Sequence, residues 1–208
     1  MPTVHDITTF SDDAPPPGQS PWVVQPSHRP IDIVEYDSTW PMRYAEYEST
    51  IRLSLGALVL DISHVGSTSV PSLPAKPVID IDLIVADPSH ETPWLTPLTE
   101  LGYVLTVREP WWFEHRCLTA SDRSVNLHIF GPDAPEPWKH RIFRDHLRRH
   151  EGDRMLYADV KRSAAVTSTD RAETMMEYNA RKQAAIRDIY ARAFSAAGLT
   201  PSGDAPEP

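Results

Sequence analysis

Two aspartates stand two residues apart in a run of aliphatic residues that otherwise has the pattern of a buried strand. The run is KPVIDIDLIV, residues 76–85, and the acids are Asp80 and Asp82. Because alternate side chains of a strand point to opposite faces, both carboxylates are expected on the face opposite the aliphatic residues. Neighbouring carboxylates repel each other unless a cation lies between them, and hard oxygen ligands suit magnesium. A solvated strand face has the same pattern, so the pair alone does not establish a site.

A turn that is rich in small hydroxyl residues precedes the acidic strand. Gly66 permits close backbone approach, and Ser67, Thr68 and Ser69 add hydroxyl and main-chain N–H donors that can cradle phosphate oxygens. Lys76 is the one basic residue between this turn and the acids. It either neutralises triphosphate charge or is a solvated loop lysine. The turn and the acids together predict a site for a metal ion and a nucleotide, which is a more specific prediction than either half supports.

These segments resemble a known superfamily. Gly-Ser followed by an aliphatic-flanked Asp-x-Asp is similar to the signature of polymerase-β-like nucleotidyltransferases. More closely, HVGSTSVPSLPAKPVIDIDLIV, IDIVEYDSTWPMRYAEY, FRDHLRRH, YADVK and YNARK resemble the GrpB family over about residues 31–189. The resemblance implies an α+β class with a nucleotidyltransferase-like mixed β-sheet, packed helices and a helical C-terminal part. It also implies that Gly66 and Ser67 hold nucleotide phosphates and that Asp80 and Asp82 bind the metal.

The superfamily usually has a third carboxylate on a later neighbouring strand, and this sequence departs from that pattern. In SVNLHIF, residues 124–130, alternation leaves Asn126 and His128 on the polar face. The GrpB pattern also has histidine there, so His128 is expected as a general base or metal ligand. Imidazole suits manganese or zinc better than magnesium. Three outcomes stay open: one-metal transfer with His128 as base, transfer with another metal, and nucleotide binding without catalysis. Glu114 is an alternative source of the missing acid.

The function expected from this resemblance is metal-dependent nucleotidyl transfer from a nucleoside triphosphate, with ATP foremost, to a small-molecule acceptor. Attack at the α-phosphorus would release pyrophosphate, and a variant of the reaction would form an acyl adenylate. Mg²⁺ or Mn²⁺ is the expected cofactor. Two alternatives stay open: a non-catalytic module that binds a nucleotide or phospho-ligand, and a transferase-like toxin or regulator that modifies a macromolecule.

Further basic residues lie in the C-terminal helical sequence. Arg141 and Arg144 are three residues apart, and Lys161 and Lys182 each follow a tyrosine by four residues. We expect these four side chains to form a basic wall that binds the nucleotide or an anionic acceptor; the alternative is a salt-bridged helix surface. His64, before the glycine turn, either contacts phosphate or metal or simply ends its strand.

Net charge, cysteine count and the lengths of the apolar runs limit the classes of partner that the protein is expected to have. The net charge of −9 argues against a nucleic-acid partner, although residues 138–194 carry 13 Lys/Arg against 8 Asp/Glu. Cys117 is the single cysteine, which excludes an internal disulfide, and it is expected to be a small buried hydrophobe. No apolar run reaches the roughly 18 residues of a membrane span, and no basic flank precedes an apolar leader. These features predict a cytoplasmic protein without a membrane partner.

Composition and pattern predict one folded domain between two disordered ends. Residues 1–29 are rich in Pro, Gly, Ser and Asp and are expected to be disordered, as is the tail 199–208. Residues 30–198 are expected to form a single nucleotidyltransferase-like domain. Its sheet part is 30–135 and its helical part is 136–198.

Within this domain, periodicity and end signals predict the individual elements. One helix follows Pro41 and ends at Gly56, and the last helix is expected to begin at Asp170 with Glu173 completing a capping box. A short helix spans 92–101. The turn ASDR predicts an antiparallel hairpin between the last two strands. Strands are expected within 30–36, 57–66, 76–85, 103–109, 111–119 and 124–130.

Overall fold

The structure, a computed structural model, describes residues 1–11, 15–26 and 30–199. In this part of the chain, a five-stranded mixed sheet has the order β1-β2-β5-β4-β3. Strands β2 and β5 are parallel, and the other neighbours, including the predicted β4–β5 hairpin, are antiparallel. The predicted α+β class is therefore confirmed. The strands are β1 Asp61–Val65, β2 Ile79–Ile84, β3 Tyr103–Glu109, β4 His115–Ala120 and β5 Val125–Phe130.

Helices cover both faces of this sheet. The helices are α1 Val4–Thr8, α2 Trp40–Leu55, α3 Thr92–Glu100, α4 Glu136–Arg149, α5 Glu151–Asp170 and α6 Met175–Ala196. Helices α2 and α3 pack on the aliphatic face, and α4, α5 and α6 lie over the polar face. None of the helices in the described ranges is long and apolar enough to cross a lipid bilayer.

The alternation of aliphatic and polar residues in β2 and β5 sets the position of the site. Ile79, Ile81 and Leu83 of β2 are fully buried and pair in register with three equally buried residues of β5. Burial of each such side chain contributes about 1.5–3 kcal/mol. Because a slip of one residue would turn these side chains to the opposite face, the core also determines which side chains face the site.

Helix α2 has the predicted ends. Pro41 lies in its first turn, where the missing N–H costs no helical hydrogen bond, and Gly56 caps its C-terminus with φ of 54°. Buried Ile51 and Leu55 attach it to the sheet.

The N-terminal part differs from the expectation of disorder. It contains the short helix α1, whose Ile7 is buried against Tyr190 and Phe194 of α6. Farther along, Trp22 forms an isolated bridge with Val107 at the edge of the sheet. Composition rich in proline and glycine suggests disorder, but a few apolar side chains suffice to attach these segments to the domain. The described residues do not include 12–14 and 27–29 of this segment, nor 200–208, which are most of the predicted tail.

Two other predictions were wrong in detail. Residues 30–36 do not form a strand: Val34 makes one isolated bridge with Ala75, and Ile31 packs against α5 and α6. The last helix begins after Thr174, which caps it together with Glu177, and not at Asp170. Two similar capping signals stand four residues apart in the sequence, and the first belongs to the turn at the end of α5.

Candidate functional site

The two aspartates lie where alternation predicted them. Asp82 is 1% exposed and Asp80 is partly buried. Asp80 Oδ1 accepts a hydrogen bond from Asn126 Nδ2 at 2.9 Å. Burial raises the pKa of Asp80, although this hydrogen bond and the charge of Lys76 oppose the rise.

Asp82 is held from the opposite side of the site. Its Oδ2 lies 2.8 Å from Nδ1 of His140, the fifth residue of α4. Burial alone would lower the pKa of His140, but the charge of Asp82 and this hydrogen bond outweigh burial and raise the pKa to about 9. His140 is therefore an imidazolium at neutral pH. Asp82 Oδ1 is buried and has no hydrogen-bond partner among the described residues, which leaves one acceptor for another ligand.

His140 was not predicted from the sequence. It stands 58 residues from Asp82 in the chain, and only the docking of α4 on the sheet joins them. A histidine in the middle of a charged helix has no local signal that separates it from a surface residue.

Gly66 is required by the close approach of Asp80. Its φ is 67°, and a Cβ added to it would overlap the Asp80 carboxylate. The turn that follows, Ser67–Ser69, is a single 3-10 turn. Thr68 Oγ1 donates to Val78 O at 3.1 Å, and Ser69 Oγ donates to Gly66 O at 2.6 Å. These two predicted phosphate ligands are thus used to hold the turn, and the Ser67 side chain lines the cavity, where it hydrogen-bonds with Tyr157.

A cavity of about 440 Å³ lies between the polar face of the sheet and helices α4, α5 and α6. It brings together predicted residues that are more than 100 positions apart in the chain. Asp82 is buried behind its lining and contacts His140, which lines it. The predicted residues in the lining are Gly66, Ser67, Lys76, Asp80, His128, Arg144, Lys161 and Lys182.

Two lysines form the cationic wall of this cavity in the same way. Lys161 Nζ lies 4.7 Å from the ring centroid of Tyr157, and Lys182 Nζ lies 4.0 Å from that of Tyr178. Lys161 also donates to Pro74 O. Both lysines are buried, and neither forms a salt bridge with a carboxylate in the described ranges. Burial, with the charge of Lys182, lowers the pKa of Lys161 to about 7; burial lowers that of Lys182 to about 8.

Of the two predicted arginines, one lines the cavity and the other does not. Arg144 lines the cavity, donates to His64 O at 2.9 Å and pairs with Asp145. Arg141 is outside the lining: it pairs with Asp61 and stacks on Trp138 at 5.0 Å. For Arg141 the structure thus shows the salt-bridged surface that was the alternative to a basic wall.

His128 stands beside Asp82 in the parallel register of β2 and β5. Its Nδ1 lies 3.1 Å from Nε2 of His115, whose Nδ1 lies 2.7 Å from Glu109 Oε2. Burial lowers the pKa of His128 to about 3, so it is neutral at physiological pH. In the described residues no three His, Cys, Asp or Glu side chains form a metal-binding group, so His128 is not placed as a third ligand with the two aspartates.

Glu114 does not supply the missing acid. It forms a 3.2 Å pair with Arg116, and Arg116 in turn binds Glu91. Positive φ of 52° at Glu114 marks the turn before β4.

The remaining candidates have structural roles. His64 is buried, its Nε2 lies 3.0 Å from Thr68 Oγ1, and its ring stacks on Tyr44. Burial lowers the pKa of His64 to about 4. Cys117 is buried, as expected, and burial raises the pKa of its thiol to about 12. Trp112 also lines the cavity.

Asp80 and Asp82 fit a divalent cation. Carboxylate oxygens are the ligands that magnesium and manganese prefer. A buried acceptor without a partner, such as Asp82 Oδ1, costs about 1–3 kcal/mol unless a ligand satisfies it. A bound cation would relieve this cost, and it would compete with His140 for Asp82.

Known proteins resemble this chain over most of its length. A UPF0157 protein of Halalkalibacterium halodurans is 44% identical over 142 residues, which are 68% of this chain and 73% of that protein. A dephospho-CoA kinase of Mycolicibacterium paratuberculosis is 29% identical over 85% of this chain but 49% of its own length. The crystal structure of the conserved protein GrpB from Enterococcus faecalis superposes with a TM-score of 0.71 at 26% identity, covering 80% of this chain and 99% of that one. The family model described as GrpB protein matches residues 30–192, and the chain therefore belongs to the GrpB family.

Proposed function

We propose that this protein transfers a nucleotidyl group, foremost the adenylyl group of ATP, to a small-molecule acceptor with Mg²⁺ or Mn²⁺. One observation carries the proposal: Asp80 and Asp82 share one strand face at a cavity whose opposite wall holds two buried lysines, and neither lysine forms a salt bridge within the part of the chain that the structure describes. Acids beside unpaired cations are what a metal–triphosphate complex requires, since the acids bind the metal and the lysines bind phosphate. The pattern is that of polymerase-β-like nucleotidyltransferases, whose relationship to this chain is part of the proposal.

Each side chain has a role in this reaction. Gly66 and Ser67 lie against the phosphates, and Lys161 and Lys182 hold the charge of the triphosphate from the helical side. Asp80 and Asp82 would hold the metal, which supplies charge neutralisation on the phosphates as in other phosphoryl transfer. Binding of an anion would also offset the burial and the charge of Lys182, which together lower the pKa of Lys161.

His128 is the general base of the proposed reaction. Its side chain lines the cavity beside the aspartates, and its Nε2 has no hydrogen-bond partner among the residues that the structure describes. The acceptor X–H attacks the α-phosphorus, the X–P bond forms, and pyrophosphate leaves with the electron pair of the broken P–O bond. The proton of X–H passes to His128 Nε2. If the acceptor is a carboxylate, no proton moves and an acyl adenylate forms.

The acceptor is proposed to be small. The cavity of about 440 Å³ is within the ~300–1,000 Å³ of small-molecule sites. A net charge of −9 also opposes the many phosphate contacts that a large nucleic acid would make. The name dephospho-CoA kinase belongs to a longer protein of which this chain matches about half, and it supports nothing more specific than a connection with phosphate-group transfer.

The test uses the purified chain with each nucleoside triphosphate, Mg²⁺ or Mn²⁺, and a pool of metabolites. We expect pyrophosphate release and a nucleotidyl adduct detectable by mass spectrometry, and we expect both to disappear in Asp80→Asn/Asp82→Asn. Nucleotide binding without turnover in every condition would favour the binding module. Adducts on a macromolecule alone would favour the toxin or regulator.

A further inference from the structure

A carboxylate, Glu109, lies behind His128 at the end of a chain of two hydrogen bonds. Glu109 Oε2 is 2.7 Å from His115 Nδ1, and His115 Nε2 is 3.1 Å from His128 Nδ1. His115 is 5% exposed and Glu109 is partly buried at the end of β3. The planes of the His115 and His128 rings meet at 21°, with 5.3 Å between the ring centroids.

We propose that Glu109 and His115 are positioning residues that provide, through His128, the third negative charge of the site. This inference rests on the proposed function. Strand β3 contributes Glu109, β4 contributes His115 and β5 contributes His128. They meet because β4 pairs with both neighbouring strands, and Glu109 is the register partner of His115. The missing acid of β5 is thereby replaced by an acid two strands away.

The hydrogen bonds determine the tautomers. A carboxylate can only accept, so His115 donates from Nδ1 to Glu109, and in the neutral ring that the resting relay requires, its Nε2 is then an acceptor. His128 must therefore donate from Nδ1 to His115. This arrangement leaves the lone pair of His128 Nε2 for a proton from the acceptor, which is the state that a general base requires.

We call the hydrogen-bonded series Glu109–His115–His128 the relay. It also explains how a buried His128 can accept a proton. An imidazolium at His128 is disfavoured by burial, as its lowered pKa shows, so His128 alone would hold a proton poorly. When Nε2 takes the acceptor proton, the Nδ1 proton can pass to His115 Nε2. His128 is then neutral again, and the positive charge rests on His115 beside the Glu109 carboxylate. Two protons move, no proton is gained or lost, and Glu109 stays ionised.

Aromatic side chains hold the relay in place. His115 stacks on Phe130 at 4.7 Å and meets the edge of Trp112 at 5.1 Å. Apolar walls exclude water from the hydrogen bonds, so that a proton passed along them is not lost to solvent.

The first experiment needs no substrate. Two-dimensional ¹⁵N–¹H NMR of the histidine side chains at pH 7.5 should show Nδ1–H tautomers for His115 and His128, identified by their loss in His115→Gln and His128→Asn. In Glu109→Ala the carboxylate is absent, and we expect both rings to populate a mixture of tautomers. An Nε2–H tautomer of His128 in the wild-type protein would overturn the relay, whether or not any turnover is found.

The second experiment measures turnover in mixtures of H₂O and D₂O. We expect a curved proton inventory for the wild type, from two protons in flight, and a linear one for His115→Gln, whose amide can accept from His128 but cannot take its proton. In this variant kcat should fall about 100-fold, with the KM for the nucleotide little changed. The Glu109→Gln variant should show the same fall in kcat and the same linear inventory. Glu114→Gln is the matched control, because Glu114 pairs with Arg116 outside the relay.

Wild-type kcat in His115→Gln, or a linear inventory in the wild type, would show that His128 acts without His115 and would overturn the proposal. Absence of turnover in the wild type would instead count against the proposed function, and the tautomers would still decide whether the relay exists. Circular dichroism of each variant separates a loss of fold from a loss of proton transfer.

Discussion

His140 Nδ1 lies 2.8 Å from Asp82 Oδ2, and this partly buried contact joins the helical part of the domain to the centre of the sheet. Asp82 is 2% exposed at its side chain and His140 is 28% exposed. The imidazolium therefore neutralises one of the two acids in the absence of a metal ion. The pair stabilises the docking of α4 on β2 and also competes with the cation that the site is proposed to bind.

Loss of one partner of this pair should destabilise the fold. Breaking a buried ion pair costs about 3–5 kcal/mol because the other charge stays buried without compensation. We expect a loss of this size in Asp82→Asn, measured by urea unfolding with EDTA present, and a smaller loss in Asp82→Asn/His140→Gln. Arg141→Gln is the control on the same helix: its pair with Asp61 is partly exposed, so about 1 kcal/mol or less is expected.

The same pair predicts how stability depends on pH. The pKa of His140 is raised from 6.5 to about 9, so its stabilising effect is fully present below pH 6.5 and is lost as pH rises through 9. The wild type should therefore exceed His140→Gln in free energy of unfolding at pH 6, less at pH 8, and hardly at pH 10. The informative quantity is the difference in free energy of unfolding between the two proteins. The lowered pKa values of Lys161 and Lys182 make stability rise with pH in both, and this effect cancels in the difference. A difference that is constant with pH would contradict the assignment.

Gly66→Ala should disrupt the site through contact and not only through backbone strain. The added Cβ would overlap the Asp80 carboxylate, so either the turn or the acid must move. Gly56→Ala is the matched control: its φ is also positive, at 54°, but nothing lies within 4 Å of the added atom. Both variants should lose about 1–3 kcal/mol from the backbone. Only Gly66→Ala should also lose ATP binding, measured by calorimetry, and equal ATP affinity in the two would contradict the role of the turn.

Nucleotide affinity should depend on the charge of the two buried lysines. Lys161→Met and Lys182→Met should each raise the Kd for ATP about tenfold or more, since each loses a charge-assisted contact in a buried setting. Because the pKa values are about 7 and 8, wild-type affinity should fall between pH 7.5 and 9, where the charge of ATP itself is constant. The double variant should lose most of this pH dependence.

Arg141→Gln is again the appropriate control for these measurements. Its parent side chain is cationic and lies on α4, but it contacts Asp61 and Trp138 outside the cavity. ATP affinity should be unchanged in it. An equal loss in Arg141→Gln and Lys161→Met would indicate that net charge, and not the cavity wall, governs binding.

The local parts of the site could be predicted because they follow from short-range rules. Alternation placed Asp80 and Asp82 opposite Ile79 and Ile81, and it placed His128 on the same polar face, since a strand has a period of two. Glycine at position 66 was predicted to permit a close approach. The structure identified what approaches it, namely the Asp80 carboxylate.

Other predictions failed where tertiary contacts decide. Thr68 and Ser69 have the residue types of a phosphate cradle, but their hydroxyls donate to Val78 O and Gly66 O. Arg141 and Arg144 share a helix, yet only Arg144 faces the cavity. Propensity and spacing carry no information on which partner a polar side chain finds when several are within reach.

Local sequence patterns were sufficient to predict the α+β class, the acidic strand, the glycine turn and the two Tyr-x-x-x-Lys repeats, because each depends on neighbours a few residues apart. Tertiary structure alone decided that His140 pairs with Asp82 and that Glu109 reaches His128 through His115. Those contacts depend on how α4 docks on the sheet and on how three strands align. Docking and register are set by the summed burial of the core, which no single short segment encodes.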